Sequence, residues 1–283
     1  MLRLDLMHPT VSGNKWFKLR DNLIRAKQLN KQWVVSFGGA FSNHIHALAA
    51  AGQQFGFRTM GFIRGEPEYI ENPTLSDAAA WGMELRFLSR EEYRQKESES
   101  FANELEQQLS DFYLIPEGGG NALGVKGCQK ILKDLAHRID RFPDYVACDI
   151  GTGSTFAGLI SSDWPSHFLG FAALKGAQSL AQQVRSALVL QGFQREDNWE
   201  VISGYHFGGF ARVNKPLIQF MHDYKAQTGI ALELIYSAKL LFGLHDLISK
   251  ERFQAGDEIL LVHGGGMQGL RGMEGAMARY HDT

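Results

Sequence analysis

Short apolar runs alternate with helical patterns along almost the whole chain, and several of the runs end in glycine. Trp33-Val34-Val35-Ser36-Phe37 leads into Gly38-Gly39 and then a helical pattern over 42–54. Strand patterns follow at 57–63, 84–88, 112–115, 145–150, 168–174, 200–203 and 258–262. Between them lie helical patterns at 72–81, 91–109, 122–139, 155–161, 179–190, 214–228 and 237–249. Strands that alternate with helices pair in parallel and are covered by helices on both faces, so the expected class is α/β. No internal repeat or linker divides the 283 residues, so composition alone marks no domain boundary.

In such sheets ligands bind beyond the carboxyl ends of the strands. Three glycine-rich loops fall at those ends: Gly38-Gly39-Ala40-Phe41-Ser42-Asn43-His44, Gly151-Thr152-Gly153-Ser154-Thr155 and His263-Gly264-Gly265-Gly266. The second leads straight into a helix. Its backbone N–H groups and hydroxyls suit a phosphate. It lacks the lysine of a nucleotide-binding P-loop, and its glycines do not follow the dinucleotide spacing, so a monophosphate is the expected ligand. Ser42 or Asn43 caps the helix after the first loop, where an amino acid carboxylate would also be held. Lys15, in Ser12-Gly13-Asn14-Lys15-Trp16, opens an amphipathic run and reads as a lysine held at a helix end.

Composition narrows the partners. The 29 basic and 31 acidic residues nearly balance, and no basic cluster interleaves with aromatics, so no nucleic acid partner is expected. No apolar run approaches the roughly 20 residues of a membrane span. Residues 1–5 lack the pattern of a signal peptide, and a cytoplasmic location is the expectation. Cys128 and Cys148 read as reduced buried thiols. His44 and His46, two apart on a helix, do not share a face, and no metal is expected.

Taken in order, these segments resemble the family of 1-aminocyclopropane-1-carboxylate (ACC) deaminase and D-cysteine desulfhydrase, pyridoxal phosphate enzymes of fold type II. The resemblance runs from about Leu4 to about Leu270. It rests on Ser-Gly-Asn-Lys at 12–15, Gly-Gly-x-x-Ser-Asn-His at 38–44, Asn72-Pro73-Thr74-Leu75 and Pro116-Glu117-Gly118-Gly119. Gly-Thr-Gly-Ser-Thr-x-Ala-Gly at 151–158, Tyr236-Ser237-Ala238-Lys239 and the loop at 263–266 complete it. It implies a two-domain, three-layer αβα architecture with mostly parallel twisted sheets. A smaller domain, 32–129, would be inserted into a larger one formed by 1–31 and 130–283, with the site between them. A homodimer is the implied assembly.

The resemblance also implies roles. Lys15 matches the lysine that bonds the cofactor's aldehyde carbon and then serves as base at the substrate's α-carbon. Asn43 matches the partner of the cofactor's phenolic oxygen. Gly151, Thr152, Gly153, Ser154 and Thr155 match the phosphate loop. Ser42 and His44 lie beside the substrate carboxylate. Tyr236 matches the active-site tyrosine, and Ser237 the residue facing the pyridine nitrogen. ACC deaminases carry Glu at that last position and desulfhydrases carry Ser or Thr. Ser237 therefore implies α,β-elimination, with D-cysteine giving hydrogen sulfide, ammonia and pyruvate. ACC deamination, another D-amino acid lyase or racemase, and a catalytically idle cofactor-binding protein are the alternatives.

Three departures from the family pattern bear on specificity. Gly264 stands where the family carries Thr or Leu. The family's second tyrosine falls near Phe207, with Tyr205 or His206 as substitutes. Only 14 residues precede Lys15, where relatives carry a longer lead that packs near the cleft.

Overall fold

A computed structural model describes residues 1–193 and 197–280. Its strands are β1 (Leu2–Arg3), β2 (Trp33–Gly39), β3 (Arg58–Arg64), β4 (Glu84–Leu88), β5 (Phe112–Leu114), β6 (Tyr145–Ile150), β7 (His167–Ala172), β8 (Trp199–Ile202) and β9 (Ile259–His263). The α-helices are α1 (Asn14–Gln28), α2 (Asn43–Phe55), α3 (Pro73–Ala80), α4 (Arg90–Arg94), α5 (Glu99–Gln108), α6 (Ala122–Ala136), α7 (Ser154–Ile160), α8 (Ala177–Val189), α9 (Lys215–Thr228), α10 (Ser237–Ser249) and α11 (Glu274–Ala278). The strands form two sheets, ordered β1-β9-β6-β7-β8 and β4-β3-β2-β5. Every pairing is parallel.

Each sheet is buried on both faces, as parallel sheets require. In β6, Val146, Cys148 and Ile150 point into a core shared with α6, α7 and α8, while Ala147 points to the opposite core beneath α9 and α10. In β2, Val34 packs with α1, α2 and α3, while Trp33, Val35 and Phe37 meet Tyr93, Phe101 and Leu105. Helix α1 joins the two halves: Phe17 belongs to the core of the five-stranded sheet, and Leu19, Leu23 and Ala26 to that of the four-stranded one.

Helix α6 packs Val125, Cys128, Ile131 and Leu132 into the core of the five-stranded sheet. The expected boundary at 129/130 falls inside this helix. Its closeness to α1 depends on Gly127, where a β-carbon would lie 1.9 Å from the Phe17 carbonyl oxygen. The single helix expected at 91–109 is two helices, because Ser98 caps a new one by accepting from Phe101 N. Arg271, ahead of α11, pairs with Asp77 on α3, which also meets His46 at 3.0 Å. No helix among the described residues is long and apolar enough to cross a membrane.

Candidate active site

The carboxyl ends of β2, β6 and β9 converge on the start of α1. Gly13 (φ 69°) precedes α1, and Asn14 N donates to Gly264 O at 3.0 Å, which ties the helix to the loop after β9. Lys15 stands in the first turn. Its Nζ donates to Asn14 Oδ1 at 2.9 Å, and Asn14 Nδ2 donates to Thr155 Oγ1 at 2.9 Å. Burial, reinforced by the nearby charge of Lys18, pushes the Lys15 amine down to about 7. A substantial neutral fraction at physiological pH is what a nucleophilic or proton-accepting amine requires.

Lys15 and Asn43 line one cleft with Ser12, Asn14, Gly266 and Gln268. Asn43 opens α2, and its Oδ1 accepts from Gln268 Nε2, which orients the amide. Ser42 caps the same helix by accepting from Ile45 N at 3.3 Å. The N–H groups of Asn43 and His44 have no acceptor among the described residues, so the start of α2 offers donors for a carboxylate. His44 turns inward: its Nε2 meets Ser36 Oγ at 3.0 Å, and Ser36 donates onward to Ile115 O. The His44 Nδ1 is buried without a partner. Burial, with the charges of Lys15 and Lys18, holds this ring well below the usual histidine range, so it is neutral.

The loop from Gly151 to Thr155 forms the second wall. The N–H groups of Thr152 to Phe156 find no acceptor among the described residues, and they converge at the start of α7. Beside them, Lys18 is 3% exposed and aims its amine at the Gly118 carbonyl (2.9 Å) and at Thr152 Oγ1 (3.4 Å). Thr152 Oγ1 in turn meets Ser154 Oγ at 3.1 Å. A buried cation beside open N–H groups and hydroxyls is an anion cradle. Cradle, amine and oriented amide together fit the phosphate, aldehyde carbon and phenolic oxygen of pyridoxal phosphate.

Tyr236 covers this cradle. A β-carbon on Gly151 would lie 3.2 Å from Tyr236 Cε1 and 3.4 Å from its hydroxyl. Burial, together with the charges of Asp149 and Glu233, raises its pKa, so the phenol keeps its proton. Ser237 is committed to the main chain: its Oγ accepts from Glu233 N at 2.8 Å and donates to Glu233 O at 3.2 Å. Glu233 is fully buried, and its carboxylate accepts from the N–H groups of Ile235, Tyr236 and Ser237 at 2.7, 2.7 and 2.5 Å. Burial still pushes that carboxyl up to about 7.

Two aromatic residues singled out on the substrate side make their contacts elsewhere. Tyr205 is turned away: its hydroxyl donates to Asp246 Oδ2 at 2.5 Å. Asp246 lies nine positions beyond Ser237 on α10, about 13 Å along the helix axis. Phe207 packs on Phe242, with ring centroids 5.1 Å apart. The aromatic brought to Tyr236 is Phe210, whose ring stands 6.3 Å away and is 44% exposed. Lys239 holds this loop by donating to the His206 and Gly209 carbonyls at 3.0 and 2.8 Å. Gly264 does adjoin the site: a β-carbon there would lie 3.3 Å from Asp149 Oδ1.

Lys18, Asp149, Glu233, Gln268 and Phe210 are not singled out by sequence patterns. Asp149 carries a usable signal, a lone charge in an otherwise apolar strand directly ahead of the glycine loop. Among the described residues no cluster of His, Cys, Asp and Glu is arranged to hold a metal ion.

The profile of a family described as "Pyridoxal-phosphate dependent enzyme" matches residues 1–265. The bifunctional D-cysteine desulfhydrase/1-aminocyclopropane-1-carboxylate deaminase, mitochondrial, of Arabidopsis thaliana is 27% identical, over 95% of this chain and 72% of its own length. The D-cysteine desulfhydrase of Serratia proteamaculans is 23% identical, over 95% of this chain and 86% of its own. A crystal structure described as an ACC deaminase homologue superposes with a TM-score of 0.85 at 26% identity, covering 98% of this chain and 87% of that one.

Proposed function

The chain belongs to the pyridoxal-phosphate dependent enzyme family, and from that premise we propose that it is an amino acid lyase that converts D-cysteine and water to pyruvate, ammonia and hydrogen sulfide. The observation that carries the reading is Lys15, an amine of pKa about 7 sharing one cleft with the oriented Asn43 amide.

When bound, pyridoxal phosphate supplies an electron sink conjugated to the substrate's α-carbon. The start of α7 and Lys18 would hold the phosphate, and Asn43 Nδ2 would donate to the phenolic oxygen. Ser42 and the free N–H groups of α2 hold the substrate carboxylate. Lys15, neutral above about pH 7, takes the α-proton. The Tyr236 phenol, kept protonated by burial, would hold the departing thiolate by donating a hydrogen bond to it. The desulfhydrase relatives support elimination.

ACC deamination is the second reading. The observation that favours it is the half-buried Asp149, an acid whose charge is felt by Tyr236, the residue before the position where the family's deaminases carry Glu. A cytoplasmic location completes the proposal, with a homodimer that rests on the family resemblance alone. Assay of the loaded enzyme against D-cysteine, L-cysteine, β-chloro-D-alanine and ACC tests the function. Pyruvate with equimolar sulfide from D-cysteine supports it. Release of 2-oxobutyrate from ACC, with no pyruvate from the others, overturns it in favour of the second reading.

A further inference from the structure

We propose that the Asp149 carboxylate is the partner of the pyridine nitrogen of bound pyridoxal phosphate in this chain and keeps that nitrogen protonated. The assignment holds whichever amino acid is the substrate, so it goes beyond the reaction proposed above.

Asp149 lies one residue from the carboxyl end of β6. Alternation along the strand puts Val146, Cys148 and Ile150 into the core under α7, and leaves Ala147 and Asp149 on the face toward α10. There its charge is felt by Lys15, Glu233 and Tyr236. The carboxylate is partly open to the cleft. Its oxygens receive no hydrogen bond from another described residue, and no described cation lies within ion-pair distance. A carboxylate in such a setting is costly unless a donor meets it.

The neighbouring groups are already engaged. Glu233 accepts three backbone N–H bonds. Ser237 has one hydroxyl proton, and it goes to the Glu233 carbonyl. The Lys15 amine donates to Asn14. On the open side of Asp149 stands Gly264, whose missing side chain leaves the carboxylate uncovered: even a β-carbon would come within 3.3 Å of Oδ1.

The cofactor has four polar points. The phosphate has the 151–155 loop and Lys18, the aldehyde carbon has Lys15, and the phenolic oxygen has Asn43. The ring nitrogen, para to the ring carbon that bears the aldehyde, is the one left over, and Asp149 is the acid left without a donor. Pairing them satisfies both. A carboxylate beside the nitrogen favours its protonated form, so this chain carries a stronger electron sink than a serine at 237 would give it.

The test is nitrogen-15 NMR of the protein loaded with ring-¹⁵N pyridoxal phosphate. The wild-type signal is expected at the pyridinium position, unchanged in Ser237→Ala and moved to the free-pyridine position in Asp149→Asn and Asp149→Ala. A wild-type signal at the free-pyridine position overturns the assignment, and so does a pyridinium signal that survives in Asp149→Asn. The wild-type spectrum decides the protonation state even where a variant fails to fold, and a Ser237→Ala spectrum that loses the pyridinium signal assigns the role to Ser237 instead.

Discussion

The ring of Phe210 stands 6.3 Å from that of Tyr236, at 64° to it, on a loop anchored by the buried Lys239 amine. The substrate side of this site therefore has one phenol and one exposed apolar ring. An aromatic pair of this kind contributes about 0.5–1.5 kcal/mol. Phe210→Ala is expected to lower kcat/KM by roughly two- to tenfold, mainly through KM, with the cofactor absorbance unchanged. Steady-state kinetics checks this, and an unchanged KM would contradict it.

Lys239 gives a prediction about stability. Its amine is 2% exposed, and it is the donor to two carbonyls of the Phe210 loop. Lys239→Met keeps the bulk and removes the donors. Both carbonyls keep a backbone donor, Gly209 N and Arg212 N, so only the two bonds from the amine are lost, and a loss of about 1–3 kcal/mol is expected. Urea unfolding of both proteins measures it.

The depressed Lys15 pKa makes stability depend on pH with a defined sign. Unfolded, the amine takes its proton near 10.5; folded, it does so at about 7. Between those values the unfolded chain binds the extra proton, so this group's contribution rises with pH from 7 to 10.5 and its full penalty applies below 7. The unfolding free energy of the cofactor-free protein, minus that of Lys15→Met, should therefore increase between pH 7 and pH 10. A pH-independent difference would mean that Lys15 titrates normally.

Gly264 and Asp149 are expected to act as one unit. A leucine at 264 would press on the Asp149 carboxylate and on the Asn14 amide, 3.6 Å from the added β-carbon. Gly264→Leu should weaken cofactor binding, and Asp149→Ala should relieve part of that loss. Cofactor titrations of the two single variants and the double variant close the cycle. Strict additivity, within about 0.5 kcal/mol, would mean that the two positions do not touch.

The sequence reveals the frame because several strands run into glycine and several helices start at a capping side chain. Trp33 to Phe37, Tyr145 to Ile150 and the 237–249 helix fall where their patterns put them. Lys15, Ser42 and Asn43 are legible because their chemistry is local: a lysine and two capping residues at helix starts. Lys18 is not, since a lysine three positions after Lys15 reads as a solvated face until α1 is seen packed beneath Gly118. Phe210 rather than Phe207 stands beside Tyr236 in a 204–212 loop that turns through positive φ at Gly204, Phe207, Gly208, Gly209 and Ala211. No periodicity predicts which aromatic such a path delivers. Asp149 is masked in another way, since its role depends on the missing side chain at Gly264, more than a hundred residues away.

The central claim is that Lys15, rather than the more deeply buried Lys18 or Lys239, carries the cofactor. Borohydride reduction of the loaded protein, followed by peptide mass mapping, tests it most directly. A phosphopyridoxyl group on Lys15, absent in Lys15→Ala, is the predicted result. The same group on Lys18 or Lys239, or no covalent adduct at all, would contradict the account.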